Sequence, residues 1–378
     1  MASGKNYLKE VALVFFKLGL FAFGGPAAHI AMMEQEVVVK RKWMSREHFL
    51  DLIGATNLIP GPNSTEMTMH CGHERAGFKG LLVAGICFIF PAVITTGTLA
   101  FIYIEYGELP SVNSFMFGIK PAVLAIILGA IIKLGKKALK NTELIILAVL
   151  VLAASLYGLN EVLALLGAGI LGMFYFTIKS KSSTLNSFIL PLGLIGSTDI
   201  LSNFQNASNV FWVFLKVGAV LYGSGYVLFA YLDAELVAKG LLSTTELLDA
   251  IAIGQFTPGP VLSTATFIGY QLSGFEGALL ATAGIFLPSF VFVALLKPLV
   301  PRMRNSKVLR YFLDSVNVSA VAIMLAVMVT MSIESVVDWK SGLIVALSVL
   351  FTFGPRKLNP VWIIIGGSIL GYLLNLIG

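Results

Sequence analysis

Asn57-Leu58-Ile59-Pro60-Gly61-Pro62-Asn63-Ser64-Thr65 lies between two apolar segments and decides how the chain folds. Proline lacks a backbone N–H and glycine adopts turns that other residues resist, so a helix cannot run through Pro-Gly-Pro. The stretch therefore predicts a break inside a membrane-embedded helical hairpin. The helix that restarts after the break has unpaired N–H groups at its N-terminus, and such an end is a ready anion site.

The composition is that of a membrane protein. Of 378 residues, 57% are hydrophobic and 12% charged, and the mean hydropathy is +0.88. Long apolar runs recur throughout, which indicates a polytopic α-helical protein. Two cysteines give no sign of a disulfide scaffold, and the net charge of +6 fits basic cytoplasmic loops. No Walker motif is present, so transport driven by ATP hydrolysis would need a partner protein. We expect no cofactor and no nucleic-acid partner.

The break occurs twice, because Pro258-Gly259-Pro260 repeats it in the second half. Other residues recur in the same order, with gaps of about one residue, which indicates a duplication. The matched pairs are Lys17 with Lys216, Gly19 with Gly218, Glu34 with Asp233, Glu36 with Glu235, Ser45 with Ser243, Asp51 with Asp249, and Pro91 with Pro288. We assign residues 1–184 to the first repeat, 185–207 to an extra span and linker, and 208–378 to the second repeat.

Loop charges predict that the repeats are inverted. The loop after the apolar segment 78–104 carries Glu105 and Glu108, whereas its counterpart after 275–297 is rich in lysine and arginine. Basic loops face the cytoplasm, so equivalent loops lie on opposite sides and the N-terminus is cytoplasmic. A short span near 185–199 would supply the inversion. Spanning segments are predicted at 78–104, 113–134, 142–157, 160–178, 185–199, 275–297, 308–331, 340–353 and 360–377.

The same charges require re-entrant segments. Residues 8–39 and 46–74 must each enter the membrane and return, because the basic positions that follow them are both cytoplasmic. The predicted fold is an all-α polytopic membrane protein of two inverted-topology repeats, with broken, re-entrant helices that meet near the midplane. Inverted repeats with broken helices are a common plan of secondary transporters.

The motif Phe23-Gly24-Gly25-Pro26, the following Glu34 and the first Pro-Gly-Pro together resemble the chromate ion transporter family. Tyr222-Gly223-Ser224-Gly225 and the second Pro-Gly-Pro match its two-domain form, and the resemblance covers almost the whole chain. It implies a multi-pass inner-membrane carrier that exports chromate, a divalent tetrahedral oxyanion, and confers chromate resistance. The second copy lacks the proline, so Ser224 and Gly225 should be less rigid than Gly25 and Pro26. Nothing in the sequence separates chromate from sulfate.

The residues themselves also favour an anion site. Four breaks bring helix N-termini towards the middle of the membrane, and hydroxyl groups beside them can each donate a hydrogen bond. The alternative is that glycine and proline only permit close helix packing. The predicted substrate-binding residues are Lys17, Gly24, Gly25, Pro26, Pro60, Gly61, Pro62, Asn63, Ser64, Thr65, Lys216, Gly223, Ser224, Gly225, Pro258, Gly259, Pro260, Ser263 and Thr264.

Lys17 and Lys216 occupy equivalent positions, each seven residues before its glycine break. One hypothesis is that each faces the cavity and attracts the anion along its own half of the path. The other is that each ammonium group snorkels to the headgroups.

Glu34, Glu66 and His70 are candidates for coupling to a proton or ion, because ionisable groups inside a membrane are usually functional. Glu66, His70 and His73 would share one helix face, so an intramembrane metalloenzyme is a competing hypothesis, and an anion channel is another. A solvated cytoplasmic mouth is the simpler prediction for these three residues. We expect no enzyme activity and no metal site. The bilayer is the expected environment, and a homodimer stays open.

Overall fold

The computed structural model describes residues 3–22, 25–107, 109–180, 207–222, 225–296, 303, 306–354 and 358–376, and within them the chain is helical with no strand. The predicted span near 185–199 lies outside the described residues. The helices are α1 Ser3–Phe21, α2 Gly25–Met33, α3 Arg46–Thr56, α4 Asn63–Tyr106, α5 Pro110–Ala138, α6 Thr142–Leu156, α7 Glu161–Lys179, α8 Ala207–Val220, α9 Leu228–Leu232, α10 Thr244–Phe256, α11 Thr264–Leu296, α12 Lys307–Ser335, α13 Trp339–Phe353 and α14 Pro360–Leu376.

Short stretches of altered helix extend some of these elements. α2 and α9 each continue into a wider π-helical turn, and tighter 3₁₀ turns precede α9 and α11. The π-helical segments are Glu34–Lys40 and Asp233–Val237, and the 3₁₀ segments are Gly225–Val227 and Val261–Ser263. The two π-helical segments occupy matching places in the two repeats, so the duplication extends to local helix geometry.

Serine side chains start α3 and α10. The Ser45 Oγ accepts a hydrogen bond from the His48 N–H at 3.2 Å. Ser243 forms a full capping box, in which its Oγ accepts from the Glu246 N–H and the Glu246 carboxylate accepts from the Ser243 N–H. Each cap satisfies backbone donors that a helix end leaves open. The predicted helix start at Ser45, and its match with Ser243, are therefore confirmed.

The predicted breaks at both Pro-Gly-Pro motifs are confirmed. α3 ends at Thr56 and α4 begins at Asn63, while α10 ends at Phe256 and α11 begins at Thr264. α4 and α11 then fold back on themselves at Gly77 and Gly274, both with φ near +60°. Gly72 lies against Gly80, because a Cβ added at Gly72 would come 2.4 Å from the Gly80 carbonyl oxygen. In each repeat, a short limb that follows the break thus packs antiparallel to a long limb. In α4 the short limb is residues 63–75 and the long limb is residues 78–106.

Small residues bring the first helix of each repeat against the long limb of the same repeat. A Cβ added at Gly19 of α1 would lie 2.4 Å from the Phe88 carbonyl oxygen. A Cβ added at Gly218 of α8 would lie 2.4 Å from the Ile285 carbonyl oxygen. The two crossings are equivalent in sequence and geometry, and neither leaves room for a methyl group. The long limbs of α4 and α11 also pack against each other, which joins the repeats.

Each of the remaining helices packs mainly against helices of the other repeat. α5 of the first repeat packs against α13 and α14 of the second, and α12 of the second packs against α6 and α7 of the first. α5 and α12 are themselves in contact and antiparallel. Lys140 at the end of α5 pairs with Asp314 near the start of α12 at 2.6 Å, and Gly135 lies beside Val321.

Two regions of buried apolar side chains stabilise this arrangement. We call the broken helices α1–α4 and α8–α11 the arms of the two repeats, and the other helices the scaffold. A smaller cluster holds the arms of the first repeat together around Phe15, Phe49 and Phe88. A larger cluster joins α5 and α12 to the arms of the second repeat, including Phe214 and Phe267. The arms of the second repeat are therefore continuous with the scaffold, whereas the arms of the first repeat form a core of their own.

Five described helices are long and apolar enough to cross a membrane. They are Asn63–Tyr106, Ser114–Ala138, Glu161–Lys179, Val261–Leu295 and Lys307–Ser335, and four shorter apolar helices are Thr142–Leu156, Ala207–Val220, Trp339–Phe353 and Pro360–Leu376. Leaving aside 185–199, every predicted spanning segment overlaps one of these helices. The protein is an all-α polytopic membrane protein.

The glycine crossings give a test of this packing. We expect Gly19→Ala and Gly218→Ala each to lower the free energy of unfolding by about 1–3 kcal/mol, because the added methyl group overpacks a backbone contact. Gly54→Ala in α3 is the control, since a Cβ there meets nothing within 4 Å. It should be neutral or stabilise by about 0.5–1 kcal/mol. Thermal unfolding of the detergent-solubilised protein measures all three. A Gly19→Ala variant as stable as Gly54→Ala would contradict the packing.

Candidate functional site

Two crossed hydrogen bonds join each Pro-Gly-Pro turn to the other repeat. The Gly61 N–H donates to the Leu221 carbonyl at 2.7 Å, and the Gly259 N–H donates to the Ala22 carbonyl at 3.0 Å. Ala22 and Leu221 follow the ends of α1 and α8 at matching positions. The last carbonyls of these broken helices lack an intrahelical partner, and the turn of the opposite repeat provides one. We call the level defined by Ala22, Gly61, Leu221 and Gly259 the turn layer.

A side-chain hydrogen bond also pairs a backbone carbonyl at the C-terminal end of each broken helix, α1 and α8. The buried His29 ring donates from Nε2 to the Ala22 carbonyl at 3.1 Å. In the second repeat the buried Tyr231 hydroxyl donates to the Val220 carbonyl at 2.9 Å. Neither residue was assigned a role from the sequence, because the two are different amino acids at positions that do not match. Their bonds nevertheless perform the same task at the two ends.

Only glycine fits the centre of either turn. Gly61 has φ +139° and Gly259 has φ +87°, both in the region that side chains disfavour. A Cβ at Gly259 would lie 3.0 Å from the Ala92 Cβ. A Cβ at Gly61 would lie 2.2 Å from the Glu66 Oε1 and 2.5 Å from the Ser289 Oγ. The space beside the first turn is thus filled by polar side chains, and the equivalent space at the second turn by the Ala92 methyl group and the backbone carbonyls of Gly19 and Phe88.

The first turn carries buried polar groups that the protein does not satisfy. Thr65, Glu66 and Ser289 are fully buried. The Thr65 Oγ1, both carboxyl oxygens of Glu66 and the Ser289 Oγ make no hydrogen bond of standard geometry within the described residues. Glu66 and Ser289 lie close together beside Gly61, where the Ser289 hydroxyl can donate to the Glu66 carboxyl. Buried polar groups are normally paired, so a cluster of this kind needs an explanation.

The hydroxyl groups around the second turn are paired. The Ser263 Oγ accepts from the Thr96 hydroxyl at 3.1 Å, and the Thr264 hydroxyl donates to the Val261 carbonyl at 2.8 Å. Thr266 and Thr282 share a hydrogen bond at 2.7 Å. Ser263 and Thr264 are the counterparts of Thr65 and Glu66. The two Pro-Gly-Pro turns, which are equivalent in sequence, therefore differ in whether the hydroxyl groups beside them have hydrogen-bond partners.

Two backbone donors are open at the first turn. The N–H groups of Thr65 and Glu66 both donate to the Pro62 carbonyl. Within the described chain no backbone carbonyl accepts from the N–H of Asn63 or Ser64, which are the first two residues of α4. The Asn63 side chain donates to the Asn57 side chain at 2.7 Å and so ties the two ends of the loop together.

The structure describes some, but not all, of the other predicted site residues. Gly25, with φ +77°, and Pro26 begin α2, and Gly225, the counterpart of Pro26, begins a 3₁₀ turn. Gly24, Gly223 and Ser224 lie outside the described residues. Pro60, Pro62, Pro258 and Pro260 flank the two glycines of the turn layer.

The prediction of a solvated mouth for Glu66 and His70 is wrong. Both side chains are buried, because the short helix 63–75 packs between α2, α3 and its own long limb, and only His73 is partly exposed. In the described part of the chain no three side chains of the His, Cys, Asp and Glu types converge on one point. Ser289 was missed, although its place directly after the matched Pro288 is a signal that could have found it.

A family comparison agrees with the two-repeat architecture. The model described as chromate transporter matches residues 9–173 and again residues 208–372. The chain belongs to the chromate transporter family.

Individual relatives match over nearly the whole length of this family member. The chromate transport protein of Cupriavidus metallidurans is 28% identical over 370 residues, which cover 96% of this chain and 92% of the relative. A probable chromate transport protein of Synechococcus elongatus is 29% identical, with 95% and 93% covered. The chromate transport protein of Pseudomonas aeruginosa is 27% identical, with 95% and 91% covered. No solved structure matches.

The paired lysines of this transporter-family chain have acidic neighbours. Lys216 pairs with Glu235 at 2.5 Å, and Lys239 pairs with the same carboxylate at 2.6 Å. In the first repeat Glu36 pairs with Lys40 at 2.6 Å and with Arg41 at 3.6 Å. Lys40 lowers the pKa of Glu36, and Lys17 adds a weaker effect of the same sign. The ammonium of Lys216 therefore already has a carboxylate partner, which it shares with Lys239, and its role towards an anion stays a prediction.

Glu34 is also paired. Its carboxylate accepts from the exposed Arg46 at 2.9 Å, so it links the end of α2 to the start of α3 at the rim. A gating or coupling role for Glu34 stays a prediction.

The burial of the two glutamates predicts different consequences for the two lysines. Glu235 has 3% of its side chain exposed and Glu36 has 17%. We expect Lys216→Gln to destabilise the protein by about 1.5–3 kcal/mol, because it removes one of the two charged hydrogen-bond donors to a buried carboxylate. Lys17→Gln, the matched control, should cost about 0–1 kcal/mol, as for a surface pair. Thermal unfolding in detergent compares them, and equal losses would contradict the assignment.

Proposed function

We propose that this protein is a secondary transporter of the inner, or plasma, membrane that exports chromate and binds the anion at the first Pro-Gly-Pro turn. The observation that supports the site is the set of unsatisfied buried polar groups around Gly61 beside two open N–H donors. The Asn63 and Ser64 N–H groups and the hydroxyls of Thr65 and Ser289 can all donate to one oxyanion. A tetrahedral oxyanion offers acceptors in several directions, so it suits donors that converge from two helices.

The position of the site fits a carrier. Ala92 lies half-way along the limb 78–106 of α4 and contacts the turn layer through Gly259. A site at mid-depth, between two repeats and at the ends of broken helices, is the arrangement that alternating access uses. The site is closed on all sides in this conformation, since Thr65, Glu66 and Ser289 have no exposed surface. Entry therefore requires movement of the arms that carry the turns.

The antiparallel packing of α5 and α12 supports an inverted topology. These helices are repeat equivalents, and the Lys140–Asp314 pair holds the C-terminal end of α5 beside the N-terminal part of α12. Two equivalent helices that cross a membrane antiparallel have opposite orientations. This agrees with the loop charges, which place the same two ends in the cytoplasm.

Chromate as the substrate is inferred from the family and from the chromate transport proteins among the relatives, and export is inferred from the family resemblance. The membrane potential would favour that direction, because moving two negative charges outward from a negative interior yields about 4.6 kcal/mol per 100 mV. Sulfate has the same shape and charge as chromate and is the natural alternative substrate.

An anion channel would use the same donors, so transport kinetics must separate the two. A carrier should show saturable flux and counterflow, in which unlabelled anion on one side accelerates uptake of labelled anion from the other. Proteoliposomes loaded with chromate or sulfate provide this measurement. Flux that is linear in concentration and shows no counterflow would favour a channel.

Single-cysteine labelling tests the inverted topology. Cys71 and Cys87 are first replaced, and one cysteine is then placed at each of four exposed positions: Lys137, Lys307, Glu105 and Glu334. A membrane-impermeant maleimide added to intact cells should label Glu105→Cys and Glu334→Cys. It should label Lys137→Cys and Lys307→Cys only after the cells are opened. Labelling of Lys137→Cys and Glu334→Cys from the same side would contradict inversion.

Hydroxyl removal tests the anion site. Thr65→Val and Ser289→Ala should each weaken sulfate or chromate affinity roughly 10- to 100-fold, the value of a hydrogen bond to a charged group of about 1.5–3 kcal/mol. Ser263→Ala is the matched control, because Ser263 is the counterpart of Thr65 and already has a protein partner. Equilibrium binding of labelled sulfate to the purified protein measures the three variants. Equal losses at Thr65 and Ser263 would place the anion elsewhere.

A further inference from the structure

The Glu66 carboxyl lies beside the first turn, next to the place where the anion is proposed to bind. Its Oε1 lies 2.2 Å from the position of a Cβ on Gly61, so the side chain folds back over the N-terminal end of its own helix. That end carries the open N–H groups of Asn63 and Ser64 and the positive pole of the helix dipole. An ionised carboxylate and a substrate dianion would therefore be close neighbours at this helix end and would repel each other.

The surroundings of Glu66 contain no compensating cation. On its own helix it has Asn63 before it and His70 one turn later, and across Gly61 it faces the Ser289 hydroxyl of α11. Tyr222, after α8, is the titratable group that interacts with it from the second repeat. No lysine or arginine of the described residues forms an ion pair with Glu66. An ionised Glu66 beside a dianion would thus place three negative charges in one closed site.

The second repeat has no such group. The counterpart of Glu66 is Thr264, whose hydroxyl donates to the Val261 carbonyl, and the counterpart of Ser289 is Ala92. The carboxyl is therefore a feature of one turn in an otherwise duplicated frame. A purely structural role in supporting the Pro-Gly-Pro turn is not needed, because the second turn holds its shape with a threonine.

We propose that Glu66 is a proton-binding site shared with the anion: the carboxylate takes up one proton when a divalent oxyanion binds at the first turn, and releases it when the anion leaves. This inference rests on the proposed anion site. With the anion absent and the turn open to water, the carboxylate takes the anion's place at the helix end. With the anion present, the neutral carboxyl no longer repels it, and its O–H becomes a further donor.

The charge balance defines the transport cycle. The dianion carries two negative charges and the proton carries one positive charge, so each cycle moves one net negative charge. The membrane potential therefore still drives export, while the pH gradient acts on the proton that travels with the anion. Raising the pH above the range in which Glu66 is protonated should weaken anion binding by up to about tenfold per pH unit.

Proton uptake on anion binding tests this directly. The full-length protein in detergent is titrated with sodium sulfate in weakly buffered solution containing a pH-indicator dye, and sulfate binding is measured in parallel with labelled sulfate. The wild type should take up about one proton per sulfate bound. Glu66→Gln should bind sulfate with no proton uptake and with an affinity that is constant with pH. Glu143→Gln, which changes a surface acid paired with Lys179, should match the wild type.

The outcomes separate this inference from the proposed function. Sulfate binding by the wild type without proton uptake would overturn the inference and leave the anion site intact, as would full uptake by Glu66→Gln. Failure of the wild type to bind either sulfate or chromate would overturn the proposed function, and the inference with it. If Glu66→Gln does not fold, Ser289→Ala decides, because it keeps the carboxyl and removes its neighbour. The pH of half-maximal uptake must then shift, and an unchanged profile would overturn the inference.

Discussion

The structure depends on two backbone hydrogen bonds, from Gly61 to Leu221 and from Gly259 to Ala22. A helix that stops inside a membrane exposes carbonyl groups that water cannot reach, and each unpaired group costs several kcal/mol. Here each repeat pairs its broken helix only in part with a side chain of its own, His29 or Tyr231. Each depends on the other repeat's Pro-Gly-Pro turn for the missing donor, so the breaks, the glycines and the association of the repeats form one requirement.

Within that shared frame, the two turns differ in chemistry. Apolar and paired groups close the second turn, and its glycine packs on Ala92. The first turn has Glu66 and Ser289 in the equivalent space, both buried and unsatisfied. A duplicated backbone with one polar copy allows the second turn to serve as support, while the first is free to bind a ligand. The fold is therefore symmetric, while the proposed anion site depends on the local difference between the two turns.

Much of this fold was predictable from the sequence, because its signals are local. Hydrophobic runs, the serine caps and two Pro-Gly-Pro motifs locate the spans, helix starts and breaks, and matched residues such as Pro91 and Pro288 reveal the duplication. The site was predictable only in outline. The asymmetry between Ser289 and Ala92 depends on contacts between residues that are far apart in the chain, Ser289 with Gly61 and Ala92 with Gly259, and the surroundings of Glu66 and of the Lys216 partner Glu235 depend on how buried each carboxyl becomes. Neither quantity can be obtained from spacing along the chain.

The exchange of helices between the repeats has a consequence for biosynthesis. While the first half is still emerging from the ribosome, α5 lacks α13 and α14, and α6 and α7 lack α12. The apolar faces that these helices later bury can meet only lipid during that interval. Assembly of the scaffold must therefore wait until the last helix has been inserted, and the first half has to persist in the bilayer as a loosely associated set of spans. A fragment that ends between the repeats would leave these packing surfaces of α5, α6 and α7 exposed to lipid.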